Sequence, residues 1–220
     1  MSRDVVYGRR AVAEVRRGRR RVHRILTAPG TSPEELERLA GSPEHQGIVA
    51  EVDPYPYAEP GSLLGPPDAL VVALDQVQDP QNLGAVCRSA EVAGAAGVVI
   101  PERRAAAITP AACKASAGAV EHLRVARVRN LADWLAAAKE QGAWVYGAEA
   151  GGSTPPWEVD LTGRVVLVLG GEERGLRPRV RSACDAVVSL PVAGKVASLN
   201  VSAAAAALLF EAARQRRAAS

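Results

Sequence analysis

The sequence predicts an α/β protein with a parallel sheet at its centre, and three observations carry that prediction. Beyond residue 69, short apolar runs alternate with stretches of helical periodicity. The runs are continuous rather than alternating, as in strands covered on both faces. Polar or glycine-rich loops follow three of the runs, and in open α/β sheets ligands bind at the carboxyl ends of strands. The chain has 220 residues and is 48% hydrophobic, enough to bury a core. Aromatic residues make up only 4%, so the core is built from small and branched aliphatics.

Taken in order, "VVYGRRAVAEVRRG" reads as a short strand and then a helix, with Val5, Val12 and Val15 on one side. "RVHRILTAP" alternates as a strand. "SPEELERLAG" is a short helix with Ser32 as N-cap, Pro33 at its first position and Glu35 three residues after the cap. "QGIVAEV" is a third strand. These elements form a small α/β domain over residues 1–53. Residues 54–68, "PYPYAEPGSLLGPPD", have the composition of a semi-rigid linker. The larger domain spans 69–220. In it "ALVVALD", "GVVIP", "RVARV", "AWVYGAE", "RVVLVLG" and "AVVSL" are strands. "LGAVCRSAEVAGA", "PAACKASAGAVEHL", "LADWLAAAKEQG" and the final "NVSAAAAALLFEAARQRR" are helices, the third closed by Gly142. No internal repeat is visible.

Composition removes several classes. No apolar run is long enough to span a membrane and no signal peptide opens the chain, so a cytoplasmic protein is expected. Three scattered cysteines, without a CxxC pair, and three scattered histidines fit neither a disulfide frame nor a metal site. The cysteines read as small buried residues. Net charge is only +3, but residues 1–30 hold nine arginines against Asp4 and Glu14. That density favours contact with nucleic-acid phosphates over a merely solvated helix face.

Three loops carry the candidate chemistry. In "DQVQDPQNLGAVCR", Pro80 and Asn82 read as turn and cap residues. Arg88 is harder to assign to structure, since it lies among Ala85, Val86, Cys87 and Ala90. No GxGxxG stands here, so a dinucleotide fingerprint is lacking. "LGGEERGL" has Gly170 and Gly171, which permit close approach of backbone to a ligand, and Glu172 in the bend. It lacks the Lys-Ser/Thr of a P-loop. In "LPVAGKVASLN", Ser198 or Asn200 can cap the final helix. No Ser/His/Asp set or carboxylate pair is evident. Asn, Arg, Glu, Ser and backbone suit the binding of a polar cofactor and the orientation of a hydroxyl, hence group transfer from a reactive cofactor.

Together, "DPQNLGAVCRSAEVAGAAGVVIP", "LVLGGEERGL" and "LPVAGKVASLNVSAAAAALLFE" resemble motifs one, two and three of the SpoU family of RNA ribose 2′-O-methyltransferases, within the SPOUT superfamily. "KASAGAVEHLRVARVRNLADWL" resembles the branch acting on guanosine of bacterial large-subunit (23S) ribosomal RNA, and the N-terminal segment resembles that branch's RNA-binding domain in shortened form. Arg124 stands where that branch often has proline.

The resemblance implies a SPOUT-type catalytic domain with a trefoil knot, a homodimer, an RNA partner and S-adenosyl-L-methionine (SAM) as cofactor, with no metal and no membrane. It assigns Arg88, Asn82, Glu172, Ser198 and Asn200 to catalysis, Arg88 as the group that activates the hydroxyl. It places Gly170, Gly171, Leu190, Val192 and Leu199 around SAM. The alternatives are a tRNA or antibiotic-resistance ribosomal RNA 2′-O-methyltransferase of the same family, a non-catalytic RNA-binding ribosome-assembly factor, and, more distantly, a nucleotide-dependent oxidoreductase.

Overall fold

The structure is a computed structural model that describes residues 3–171 and 175–219. Its first part holds β1 (Asp4–Tyr7), α1 (Arg9–Val15), β2 (Val22–Thr27), α2 (Pro33–Ala40) and β3 (Ile48–Val52). The three strands form an antiparallel sheet in the order β1-β3-β2. Ser32 caps α2 by accepting a 3.2 Å hydrogen bond from the Glu35 amide. Helix α2 buries Leu36 and Ala40 against Tyr7, Leu26 and Val49.

The second part runs β4 (Leu70–Asp75), α3 (Pro80–Val92), β5 (Gly97–Pro101), α4 (Pro110–Ala115), β6 (Val125–Val128), α5 (Leu131–Glu140), β7 (Trp144–Ala148), β8 (Val165–Gly170), α6 (Pro178–Ala183), β9 (Ala186–Val188) and α7 (Val201–Ala219). Its strands form a six-stranded parallel sheet in the order β6-β5-β4-β8-β7-β9. Every residue of β4 is buried. Leu70, Val72 and Leu74 join the core on the α3 and α7 side, while Val71 and Ala73 join the core shared with α5 and α6. Burial on both faces explains why the run is apolar throughout rather than alternating. Helix α7 buries Val201, Ala205, Leu208, Leu209 and Ala212, one stripe of a helical wheel.

The stretch 54–68 is pinned along its length. The Tyr55 hydroxyl donates to the Val120 and Leu123 carbonyls, each at 3.0 Å. The Ala58 amide donates to the Val125 carbonyl at 2.8 Å, and Leu63 and Leu64 are buried. Beside it, Arg20 and Glu121 form a buried ion pair between the two parts of the chain, with Arg20 Nε donating to Glu121 Oε2 at 3.0 Å.

Two local expectations change. "PAACKASAGAVEHL" is not one helix: α4 stops at Ala115, and Ala117 and Gly118 take φ of 53° and 89° before a 3₁₀ turn at Ala119–Glu121. A Cβ on Gly118 would lie 2.5 Å from Glu14 Cβ, so the close pass of α1 demands the break. Helix α3 begins earlier than its apolar spacing suggests. Asp79 is its N-cap, accepting from the Gln81 amide at 2.9 Å, and Pro80 occupies its first turn. Asn82 is therefore not the cap.

Candidate active site

The carboxyl ends of β7, β8 and β9 and the segment leading into α7 enclose a cavity of about 420 Å³. A volume of this order holds a ligand of nucleoside size. Gly170, Gly171, Leu190, Val192, Ser198 and Leu199 all line it. Its remaining wall includes Ala148 at the end of β7, Glu149 just beyond it, and Ala204 and Leu208 of α7. Val192 and Leu199 are 45% and 52% exposed, so the rim offers apolar side chains to whatever enters. Ser198 is exposed and does not cap α7. Asn200 does: its Oδ1 accepts from the Ser202 amide at 2.8 Å.

The floor is made by backbone crossing backbone. A Cβ on Gly170 would fall 2.2 Å from the Gly175 carbonyl carbon and 2.6 Å from the Leu176 nitrogen. A Cβ on Gly171 would fall 2.9 Å from the Gln76 carbonyl oxygen. At Gly170 the need for glycine thus comes from the chain's own backbone at Gly175 and Leu176, beside any ligand. The Gly171 amide donates to the Asp75 carbonyl at 2.9 Å. Asp75 is fully buried at the end of β4, and its carboxylate accepts from Arg177 twice, from the amide at 2.8 Å and from Nε at 2.7 Å. Asp75 thereby ties Gly171 to Arg177, residues on either side of Glu172 in the sequence. Glu172 itself lies outside the described residues.

Asn82 and Asn200 meet across the chain: Asn200 Nδ2 donates to Asn82 Oδ1 at 3.0 Å. This bond ties the first turn of α3 to the cap of α7. Arg88 is not drawn into that pair. It sits further along α3, exposed, and makes no hydrogen bond or ion pair with the described residues. A guanidinium presented this way can meet an anion from outside. The cysteines take no part. Burial pushes the thiols of Cys87, Cys113 and Cys184 up to about 12, 11 and 11, leaving them protonated at neutral pH. Among the described residues no group of three His, Cys, Asp or Glu side chains could hold a metal ion. No helix there is long and apolar enough to cross a membrane.

Residues 69–210 match the model of the SpoU rRNA methylase family, more than half of the chain. The chain belongs to the SpoU family. Residues 30–58 match a second model, described as RNA 2′-O ribose methyltransferase substrate binding. An uncharacterized tRNA/rRNA methyltransferase of Mycobacterium avium is 46% identical over 187 residues, 83% of this chain and 60% of that protein. The chain therefore spans about three fifths of the length of such curated relatives. Among solved structures, the SpoU methyltransferase AviRb of Streptomyces viridochromogenes, in complex with AdoMet, superposes with a TM-score of 0.83 at 27% identity, covering 97% of this chain and 90% of AviRb. An RNA 2′-O ribose methyltransferase superposes at 0.82 with 26% identity, covering 97% and 88%.

Two residues at this candidate site escaped the sequence reading. Glu149 lines the cavity and pairs with Arg181, Nε to Oε2 at 2.9 Å. Its signal was present in "GAEAGG", a fourth polar, glycine-rich stretch at the end of a strand. Asp75 ends an apolar run and looks there like the first residue of a solvated loop, so nothing local marks its burial.

Proposed function

We propose that this SpoU-family chain is a SAM-dependent RNA methyltransferase acting on a ribose 2′-hydroxyl, with a guanosine of large-subunit ribosomal RNA as target. The observation that carries the reading is the cavity at the sheet's carboxyl edge, which joins all the described residues placed around SAM by the motif resemblance. The donor set suits such a ligand: apolar Leu190, Val192 and Leu199 for a base, the backbone of Gly170 and Gly171 for polar edges, and Glu149 as a hydroxyl acceptor. AviRb, of the same fold, is recorded with AdoMet bound. SAM supplies a methyl group already made electrophilic by its sulfonium.

What is left to the chain is alignment of the hydroxyl. The Asn82–Asn200 bond holds the two elements that flank the cavity in one register. Arg88 stays protonated at any working pH and is a poor base. In this reading its exposed guanidinium binds the phosphate next to the target ribose and orients the hydroxyl. Glu172 and Ser198 remain assigned to catalysis by their motif positions. RNA is held in part by the first domain, where Arg9, Arg10, Arg16, Arg17, Arg21 and Arg24 are exposed. A homodimer is part of the same proposal. Val92 on α3 and Phe210 on α7, 63% and 53% exposed on helices that pack together, support it.

The test incubates the purified chain with methyl-labelled SAM and either deproteinised ribosomal RNA or tRNA. Digestion to nucleosides should show label in 2′-O-methylguanosine from the large-subunit RNA, and loss of label with Arg88→Ala. Label in a base overturns the reaction type. Label in tRNA alone moves the substrate to the tRNA branch, which the Mycobacterium relative's name spans as well.

A further inference from the structure

The order of the sheet separates its carboxyl edge into two halves. The cavity lies over β8, β7 and β9, and α3 with Asn82 starts above β4. On the other side of β4 stand β5 and β6, and the segment joining β5 to α4 is "ERRAAAIT", residues 102–109. Neither the motifs nor the cavity account for its paired arginines.

This segment is held firmly. The Glu102 amide donates to the Val128 carbonyl at 2.9 Å, and the Ala106 amide donates to the Val77 carbonyl at 2.9 Å. The Ile108 amide donates to the Tyr57 hydroxyl at 3.0 Å, and Arg127 Nη2 donates to the Glu102 carbonyl at 3.2 Å. The Val77 bond fixes it directly to the loop of motif one. Between these anchors Arg103 and Arg104 are exposed and make no hydrogen bond or ion pair among the described residues, with Glu102 next to them in the chain. Arg104 has φ of 57°, a left-handed conformation that an arginine adopts at some cost. Gln76, at the end of the adjacent β4, has φ of 61°. Arg127 and Arg129, both exposed at the end of β6, extend the positive edge, and Arg127 lies over the Tyr57 ring at 5.2 Å.

We propose that Arg103 and Arg104 grip the phosphate backbone of the RNA strand flanking the target nucleotide, and so position the ribose over the cavity. The proposal rests on the RNA-methyltransferase reading above. Adjacent strands lie about 5 Å apart, so the end of β5 is about 5 Å from β4 and about 10 Å from β8. Long arginine side chains on that edge reach a strand that lies across motif one into the cavity. A rigid loop with two uncommitted guanidiniums fits phosphate oxygens, which arginine binds through paired hydrogen bonds. A tolerant backbone grip of this kind carries no base specificity and leaves target choice to other contacts.

The experiment uses the full chain, deproteinised large-subunit ribosomal RNA and SAM. One variant combines Arg103→Ala with Arg104→Gly, since glycine accepts the left-handed backbone without strain. A second replaces both arginines by lysine. RNA binding is measured across a salt series, with SAM affinity and melting temperature beside it. Loss of two phosphate contacts should lower the slope of log K against log salt by about 1.4, at about 0.7 per single-stranded contact. KM for RNA should rise about tenfold or more with little change in kcat, SAM affinity and melting should hold, and the lysine variant should recover most of the slope. Wild-type slope and affinity in the Ala/Gly variant overturn the inference, whether or not methyl transfer occurs. Salt-sensitive RNA binding that the variant weakens, with no methyl transfer by the wild type, instead overturns the proposed reaction and leaves the phosphate contacts standing.

Discussion

Asp75→Asn should loosen the candidate cofactor site from beneath without replacing a residue that lines it. Asp75 is fully buried and accepts from the Arg177 amide and guanidinium, while its own carbonyl receives the Gly171 amide. Asparagine keeps the shape but presents an NH₂ to groups that are themselves donors, so one charge-assisted bond is lost and a donor faces a donor. Breaking a buried ion pair by changing one partner costs about 3–5 kcal/mol. The Arg177 side chain is 42% exposed and can turn to water, which argues for the low end, about 3 kcal/mol. For a chain of this size each kcal/mol moves the melting temperature by about 2–4 °C, so a fall of about 6–12 °C is expected.

Melting followed by circular dichroism, with and without SAM, measures that fall. Calorimetric titration at 25 °C reports SAM affinity while the variant is still folded, and a loss of about tenfold or more is expected because Arg177 is released from Asp75 while the Gly171 amide keeps its bond to the residue 75 carbonyl. A shift below about 2 °C with unchanged SAM affinity would refute the reasoning and make Asp75 an incidental buried carboxylate.

Gly170→Ala should cost about 1–3 kcal/mol, because its Cβ meets backbone that cannot rotate away, and should reduce SAM affinity about ten- to hundredfold by calorimetry. Ala205→Leu, at a position with no exposure, should destabilise by about 1–3 kcal/mol in urea unfolding, whereas Ala203→Leu on the exposed side should be neutral. Alanine and leucine differ little in helix propensity, so a difference between the two sites reports packing. Hydrogen bonds from Arg214 and then Gln215 hold the Glu211 carboxyl down to about 2, against an ordinary 4.5. A depressed carboxylate stabilises the fold above its unfolded value and loses that contribution as pH falls toward its folded value. The stability gap between wild type and Glu211→Gln should therefore narrow as pH is lowered through about 4.5 toward about 2, and a gap that stays constant would contradict it.

Much of the fold was legible because buried parallel strands must be apolar on both faces. The six runs after residue 69 are the six strands of the larger sheet, and the four expected helical stretches fall between or after them, but β7 runs to β8 without an α-helix and the short α6 escaped the sequence reading. What local pattern could not carry was anything set by a distant segment. The helix expected at 110–123 breaks at Ala117 because α1 passes over Gly118. Cap assignment failed at Asn82 for a related reason: Asp79 caps α3, and Asn82 answers to a residue more than a hundred positions away. The candidate site was legible where polar residues follow strands, and illegible at Asp75, whose burial depends on the return of Arg177.

The slender start of α7 joins these threads. Its five consecutive alanines follow Asn200, which caps the helix with Oδ1 and holds Asn82 with Nδ2. Ala205 is wholly buried against α3 and the sheet, and Ala204 turns toward the cavity. A larger side chain at either would push α7 off the body or fill the space a ligand needs. High helix propensity explains why alanine is tolerated along the run, but not why the two inward positions should be small. Their size follows from the close seating of a capped helix whose first turn is both a wall of the cavity and the anchor of motif one.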